Sequence, residues 1–154
     1  MNKLDYQSPI GILEIIGDET AISSILFTEK ETTEYVMEEN TPAVMKDCYQ
    51  QLDEYFNGKR KEFNLPYKLN GTVFQTSVWN ALNSIPYAKT GSYRDIATVI
   101  GNEKAIRAVG NANSKNKLTI VIPCHRIIGS NASLTGYAGG LWRKKWLLEH
   151  EQKY

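Results

Sequence analysis

The sequence contains little cysteine and no long apolar run. Only Cys48 and Cys124 occur among 154 residues, so we predict no disulfide framework and expect a reducing compartment. No stretch approaches the ~20 apolar residues of a membrane-spanning helix, and the N-terminal segment lacks the apolar region of a signal peptide. We therefore expect an intracellular, cytoplasmic protein with no membrane partner.

The charges nearly cancel over the whole chain, but they are distributed unevenly. The formal net charge is +1, yet residues 1–71 hold 7 Lys and Arg against 13 Asp and Glu, a balance of −6. Residues 72–154 hold 11 against 4, a balance of +7. This asymmetry indicates that the basic half binds a polyanion. The alternative is chance segregation of solvated charges.

The first half is predicted to be a β-meander followed by a helix. Three short β-branched runs, KLDY, ILEIIG and AISSILFT, are separated by turn residues. Thr41 is expected to cap the next helix, Pro42 to open it and Gly58 to end it. Cys48 falls on the apolar face of this helix and is interpreted as a buried core residue.

The second half is predicted to be mainly helical. VFQTSVWNALNSI carries one apolar stripe and ends at Pro86. Ser92 is expected to cap a helix over YRDIATVI that ends at Gly101, and Asn102 to cap a second helix over EKAIRAVGNAN. Two short helices joined by a glycine-containing turn are typical of a helix-turn-helix. Together with the +7 charge, this arrangement favours nucleic acid as the partner.

The predicted second helix presents polar and small residues together. Lys104, Arg107 and Asn111 share one face at positions i, i+3 and i+7. Small neighbours such as Ala108 would let this helix approach its partner closely.

Cys124 follows the apolar run LTIVIP, which predicts a buried strand. Its neighbours His125 and Arg126 are basic, and adjacent cations favour the thiolate, which is the nucleophilic form. An unreactive buried thiol is one alternative, and a cysteine hydrolase with His125 or His150 as base is another. Two cysteines and two histidines at these separations lack metal-ligand spacing, so we predict no metal site.

The second half resembles the O6-alkylguanine-DNA alkyltransferases, a family of direct-reversal DNA repair proteins. The matching segments follow one order over most of residues 71–151: GTVFQTSVWNALNSIPY, SYRDIA, IRAVGNAN, IPCHRII and LTGYAGGLWRKKWLLEHE. The first half is similar to the family's N-terminal domain more loosely. The resemblance implies an α+β fold with two domains. Residues 1–70 would form a ribonuclease-H-like β-meander/helix domain, and residues 71–154 a helical DNA-binding and alkyl-transfer domain with a winged helix-turn-helix.

The resemblance also implies the reaction and its reacting residues. The alkyl group of O6-alkylguanine, and less well of O4-alkylthymine, would pass irreversibly from double-stranded DNA to Cys124, once per protein molecule. His125 matches the residue that takes the thiol proton through a bound water, and Glu151 the carboxylate that orients it. Tyr93 matches a tyrosine that assists the leaving base, and Asn116 an asparagine that ties the hairpin to the cysteine loop. No cofactor is implied, and we expect a monomer.

Further matches concern the substrate pocket and DNA. Tyr137 matches a pocket wall and Ala138 a backbone N–H aimed at O6, while the carbonyls of Cys124 and Ile127 match acceptors for the guanine amine. Arg107 matches the arginine that fills the position vacated by a flipped base. Other DNA contacts are expected from Arg94, Lys104, Ala108, Asn111 and Lys115.

Three positions depart from the family pattern. Lys117 stands where proline is usual, and Ala88 and Ala132 stand where glycine is usual. We expect these departures to affect loop mobility rather than the class of reaction.

Two other classes of protein share parts of this pattern. Alkyltransferase-like proteins bind lesions without reacting, but they have another residue at the nucleophile's position, whereas this chain has Cys124. A transcription regulator with a helix-turn-helix would have no need of PCHR or of the GYAGGL loop. We therefore interpret the sequence as a suicidal DNA alkyltransferase.

Overall fold

The structure, a computed structural model, describes residues 2–129 and 136–154. It divides into two compact units. The N-terminal unit comprises Met1–Leu69, Lys117–Thr119 and Tyr154, and the C-terminal unit comprises Asn70–Asn116 and Ile120–Lys153. The expectation for Ala132 lies outside the described residues.

The N-terminal unit is the predicted meander with one helix. Strands β1 (Asn2–Ser8), β2 (Gly11–Gly17) and β3 (Ile22–Phe27) pair antiparallel in that order. Helix α1 (Ala43–Phe56) packs against them, because its apolar face meets the apolar face of the sheet. Cys48 is fully buried on this face, as predicted.

The start of α1 differs from the prediction. Pro42 occupies the N-cap position and no side chain caps the helix. The hydroxyl of Thr41 accepts a hydrogen bond from the Glu38 N–H (2.9 Å) instead, because Thr41 belongs to the preceding turn. Gly58 follows the helix at φ +73°, a conformation that favours glycine, and this agrees with its predicted role.

A group of charges around the buried Asp5 ties the segment after β3 to the sheet. We call Asp5, Glu14, Lys30 and Glu34 the Asp5 cluster. The ammonium of Lys30 lies 3.1, 2.9 and 3.3 Å from the carboxylates of Asp5, Glu14 and Glu34. Asp5 also accepts the backbone N–H groups of Glu34 (2.7 Å) and Tyr35 (3.0 Å). Burial alone would raise the pKa of Asp5, but these donors and Lys30 hold it below its ordinary value.

In its described residues, the C-terminal unit contains four α-helices and a short two-stranded sheet. Its helices and strands are α2 (Val73–Leu82), α3 (Tyr93–Val99), α4 (Ile106–Ser114), α5 (Leu141–Lys153), β4 (Gly91–Ser92) and β5 (Ile127–Ile128). Strands β4 and β5 are parallel. Ser92 caps α3 in a reciprocal pair of hydrogen bonds with Asp95, which confirms the predicted cap. Among the helices described, none is long and apolar enough to cross a membrane.

Helices α3 and α4 pack together across a turn that contains Gly101 at φ +76°. Helix α4 begins at Ile106, later than predicted. Asn102 does not cap it. Its carbonyl accepts the Ala105 N–H in the preceding turn, so Lys104 lies outside the helix that carries Arg107.

The predicted strand over LTIVIP does not form. Leu118 makes only an isolated bridge with Ile25, and Ile120 then adopts φ +73°. A β-branched residue in the left-handed region cannot continue an extended strand. Cys124 therefore begins a short 3-10 turn rather than ending a strand.

Candidate active site

Three consecutive functional side chains lie in one 3-10 turn, Cys124–Arg126, against which α5 packs. The turn is closed by hydrogen bonds from Cys124 N to Ile122 O (2.8 Å) and from Arg126 N to Pro123 O (3.0 Å). All three residues are buried. The sequence thus places a thiol, an imidazole and a guanidinium in a dry environment.

His125 and Glu151 form a fully buried pair. Nε2 of His125 lies 2.6 Å from Oε2 of Glu151, and neither side chain is exposed. Burial alone would raise the pKa of Glu151, but His125 and Arg126 hold it well below its ordinary range. An ionised carboxylate only accepts hydrogen bonds, so Nε2 carries the proton and Nδ1 presents its lone pair. Within the described residues, Nδ1 has no hydrogen-bond partner.

The imidazole of His125 is neutral at rest. Burial lowers its pKa, Glu151 opposes this effect, and the cations of Arg126 and Lys144 lower the pKa further, so that the net shift is downward. A neutral imidazole with one available nitrogen can accept a proton.

The Cys124 thiol is not a preformed thiolate. Burial raises its pKa, and this outweighs the opposing effects of the Asn116 side chain, the Lys144 ammonium and nearby backbone N–H groups. The interpretation that Arg126 favours the thiolate was wrong, because its guanidinium binds Glu151. A buried neutral thiol needs a base before it can act as a nucleophile.

Two asparagines hold the loop that carries the cysteine. Nδ2 of Asn116, a predicted site residue, donates to Ile122 O (3.0 Å). Nδ2 of Asn113 donates to Cys124 O at 3.4 Å from the buried face of α4. The sequence interpretation missed Asn113, although its spacing of three residues from Asn116 could have indicated it.

Tyr93 lies between Gly110 of α4 and Gly136. Its ring is 3.4 Å from a Cβ built on Gly110, and its hydroxyl is 3.4 Å from a Cβ built on Gly136. Tyr137 is buried, and its hydroxyl has no hydrogen-bond partner in the described parts of the chain. Ala138 is exposed.

The predicted DNA-contacting residues are all exposed: Arg94, Lys104, Arg107, Ala108, Asn111 and Lys115. Of these, Arg107, Ala108 and Asn111 lie on α4.

Lys144 is a site residue that the sequence interpretation missed. It is fully buried, although lysine is almost never buried without a compensating partner. Lys144 and Glu151 are seven residues apart on the buried face of α5, and this spacing was the available indication. Burial lowers the pKa of Lys144 to about 8, and Cys124 opposes that shift.

Among the described residues there is no group of three side chains that could hold a metal ion. The side chains of the site supply a thiol at Cys124, a neutral base at His125, a carboxylate at Glu151 and a buried ammonium at Lys144.

Comparison with known proteins covers both units. The chain matches the ribonuclease-like domain of 6-O-methylguanine DNA methyltransferase over residues 4–69. It matches the DNA-binding domain of the same family over residues 73–153.

Named relatives and solved structures agree with these matches. The constitutive methylated-DNA–protein-cysteine methyltransferase of Bacillus subtilis is 46% identical, over 86% of this chain and 84% of its own. A protein of the same name from Methanosarcina acetivorans is 43% identical over 95% of both chains. The crystal structure of Mycobacterium tuberculosis OGT in complex with DNA superposes with a TM-score of 0.89 at 40% identity, covering 99% of this chain and 94% of that one. The chain therefore belongs to the 6-O-methylguanine DNA methyltransferase family.

Proposed function

We propose that this protein repairs alkylated DNA directly, by moving the alkyl group from O6 of guanine in double-stranded DNA to the sulfur of Cys124. The observation that carries the proposal is the buried His125–Glu151 pair beside Cys124, in a chain of this family. The pair supplies a base whose Nδ1 is available, next in sequence to a thiol that needs one.

The transfer is a displacement at a saturated carbon. The sulfur of Cys124 forms a bond to the alkyl carbon while the bond from that carbon to O6 breaks. The thiol proton passes to Nδ1 of His125 through a bound water, and Glu151 stabilises the resulting imidazolium. The electron pair of the broken bond goes to the guanine, which receives a proton or hydrogen bond from the Tyr93 hydroxyl. The polarizability of sulfur suits attack at carbon.

The product explains why each molecule reacts once. Cys124 becomes a thioether, which has no good leaving group and is not hydrolysed in the cell. The protein is therefore a stoichiometric reagent, and its capacity equals the number of molecules present.

The lesion is stacked inside the duplex and must leave it before reaction. Unstacking costs about a few kcal/mol, and Arg107 on α4 offsets this cost by filling the vacated position. The neighbouring Ala108 allows close approach of the helix to the minor groove. Phosphate contacts from Arg94, Lys104 and Lys115 fix the position of the protein on DNA.

In the pocket, the side chain of Tyr137 forms a wall and the backbone N–H of Ala138 donates to O6. The carbonyls of Cys124 and Ile127 accept the exocyclic amine. The Cys124 carbonyl already accepts the Ile127 N–H and Asn113 Nδ2, so the amine would compete with the longer Asn113 bond. O4-alkylthymine is a poorer substrate because it lacks this amine.

Several broader features belong to the same proposal. The protein acts as a monomer inside the cell, in the cytoplasm where it reaches DNA, and needs no cofactor. Residues 71–154 perform binding and transfer, and residues 1–70 form the supporting ribonuclease-like domain.

The test is the intact mass of the protein after incubation with duplex DNA that carries one O6-methylguanine. We expect a gain of one CH2 group that saturates at one equivalent in the wild type and in Cys48→Ala, and no gain in Cys124→Ala. Lesion-selective binding without any gain of mass would reject the proposal in favour of a binding-only protein.

A further inference from the structure

The guanidinium of Arg126 is bound to both oxygens of Glu151. Nε lies 2.9 Å from Oε1, and Nη2 lies 3.2 Å from Oε2. The third nitrogen, Nη1, donates to the carbonyl of Ile85 at 2.8 Å. The Arg126 side chain is only 9% exposed, so the three contacts hold the guanidinium in one orientation. This fork geometry is the arrangement in which arginine is most directional.

The same carboxylate also holds the base. Oε2 of Glu151 contacts Nε2 of His125 at 2.6 Å, and Oε1 accepts the backbone N–H of Ala88 at 3.2 Å. The terminal torsion of a glutamate is broad and soft. The fork of Arg126 fixes that torsion, and with it the direction from which Glu151 meets the imidazole ring.

Arg126 also acts on the charge of the site. Glu151 favours the protonated imidazole of His125, whereas the cation of Arg126 favours the neutral form. The other titratable groups of the C-terminal unit that interact electrostatically with this part of the site are Tyr87, Cys124, Tyr137, Arg143 and Lys144. Of the two cations that act on His125, Arg126 and Lys144, only Arg126 is bonded to Glu151, so its loss would leave the carboxylate without its closest compensating charge.

We propose that Arg126 is a positioning residue of alkyl transfer, which fixes Glu151 so that His125 remains a neutral, correctly oriented base. The inference rests on the proposed function, in which His125 takes the thiol proton of Cys124. The guanidinium of Arg126 is bonded to Glu151 and Ile85 rather than to Cys124. It acts through Glu151.

A purely structural role predicts a different outcome. The contact with Ile85 joins the residues after α2 to the Cys124–Arg126 turn, and its loss alone would lower stability. It would not change the pH at which the base becomes protonated. The pH profile of the reaction therefore separates the two roles.

The experiment compares Arg126→Met, Arg126→Lys and a matched control, Arg60→Met. Arg60 also pairs with a glutamate (Nε to Glu54 Oε1, 2.9 Å) and a backbone carbonyl (Glu62 O, 2.9 Å), but in the N-terminal unit. Two single-turnover reactions are followed by intact mass between about pH 5.5 and 8.5. One is methyl transfer from DNA, and the other is alkylation of Cys124 by iodoacetamide, in which the sulfur displaces iodide and the thiol proton leaves through the base.

For Arg126→Met we expect both reactions to slow by about tenfold. We also expect the acidic limb of the pH–rate profile, the range in which the rate falls as the base becomes protonated, to move up by about one pH unit. The reason is that the pKa of His125 rises when the cation is removed. Arg126→Lys keeps the charge but cannot form the fork. Its acidic limb should stay near that of the wild type while its rate remains several-fold low. Arg60→Met should match the wild type in both respects.

Profiles of Arg126→Met that superpose on the wild type would overturn the proposal, as would an equal shift in Arg60→Met. Should Arg126→Met not fold, Arg126→Lys decides: a slowed reaction with an unmoved acidic limb supports the fork, and a wild-type rate overturns it. The iodoacetamide reaction needs no DNA. It therefore tests Arg126 even if the wild type takes no methyl group from O6-methylguanine.

Discussion

Each unit gathers charges around one buried carboxylate, Asp5 in the N-terminal unit and Glu151 in the C-terminal unit, but the two groups differ in which atoms lack a hydrogen-bond partner. In the Asp5 cluster, Lys30 meets three carboxylates, and no buried polar atom of its described side chains lacks a partner. His125, Arg126 and Glu151, which we call the Glu151 cluster, leave Nδ1 of His125 without one within the described chain.

The difference has a physical meaning. In the Asp5 cluster, the charges hold the segment after β3 against the sheet, so we assign this cluster a supporting role. A cluster with one available acceptor can exchange a proton while its other bonds hold the acceptor in place. Between these two clusters, the acceptor available on a base, rather than the buried charge, indicates which one can take up a proton.

The largest effect is expected when the central carboxylate of each cluster is replaced by its neutral amide. Glu151→Gln should slow alkyl transfer about 100-fold or more, because the base loses its orienting charge. Asp5→Asn should leave the rate unchanged and lower the free energy of unfolding by about 1–3 kcal/mol, because Lys30 and two backbone N–H groups lose their best acceptor. Single-turnover rates and urea unfolding measure both effects. A slowed reaction in Asp5→Asn would contradict the assignment of that cluster to support.

The next test concerns two adjacent lysines on α5. Lys144 is fully buried, whereas the side chain of Lys145 is 68% exposed. Lys144→Met should slow transfer about tenfold at neutral pH, because Lys144 lowers the pKa of Cys124 and its loss makes the thiol harder to deprotonate. Lys145→Met should react like the wild type. Intact-mass kinetics measure the transfer rates of both variants. Equal rates would contradict a role for Lys144 in the reaction.

The two clusters should lose their contributions to the free energy of unfolding at different pH values as the solution is acidified. The pKa of His125 in the folded state lies below its ordinary value of 6.5. The unfolded chain therefore binds a proton first, so the stabilisation is complete above pH 6.5 and is lost as the pH falls toward the folded pKa. The pKa of Asp5 is likewise lowered, but from 3.8, so its cluster weakens only at lower pH.

Urea unfolding followed by tryptophan fluorescence measures this effect, because all three tryptophans lie within residues 70–153. Between pH 6.5 and the folded pKa of His125, the free energy of unfolding should fall by up to about 1.4 kcal/mol per pH unit. The control is His125→Asn, which cannot titrate and should have a flatter profile. Parallel profiles for the two proteins would contradict a lowered pKa for His125.

The sequence predicted the features that depend on neighbouring residues. The meander follows from short β-branched runs between turns, and the Ser92 cap from a residue three positions before Asp95. The family was recognised because PCHR and the segments around it keep their order. The roles of the site residues remain predictions, as does the boundary between residues 70 and 71.

What the sequence did not predict depends on tertiary contacts. The cationic neighbour Arg126 suggested a direct effect on Cys124, but its partner is Glu151, 25 positions along the chain. The apolar run before Pro123 was interpreted as a strand because its composition is that of one. The left-handed backbone of Ile120, which prevents the strand, is not visible in the residue types.

The smallest predicted effect concerns the backbone support that both clusters use. Asp5 accepts two backbone N–H groups, and Glu151 accepts one, from Ala88, which adopts φ +65°. An alanine in this region costs about 1–2 kcal/mol, and glycine avoids that cost while losing about 0.5–1 kcal/mol through the entropy of the unfolded chain. Ala88→Gly should therefore raise the free energy of unfolding by about 0.5–1 kcal/mol, measured by urea unfolding, with an unchanged transfer rate. A destabilised variant would mean that the hydrogen bond from the backbone N–H of residue 88 to Glu151 depends on the lower flexibility of alanine.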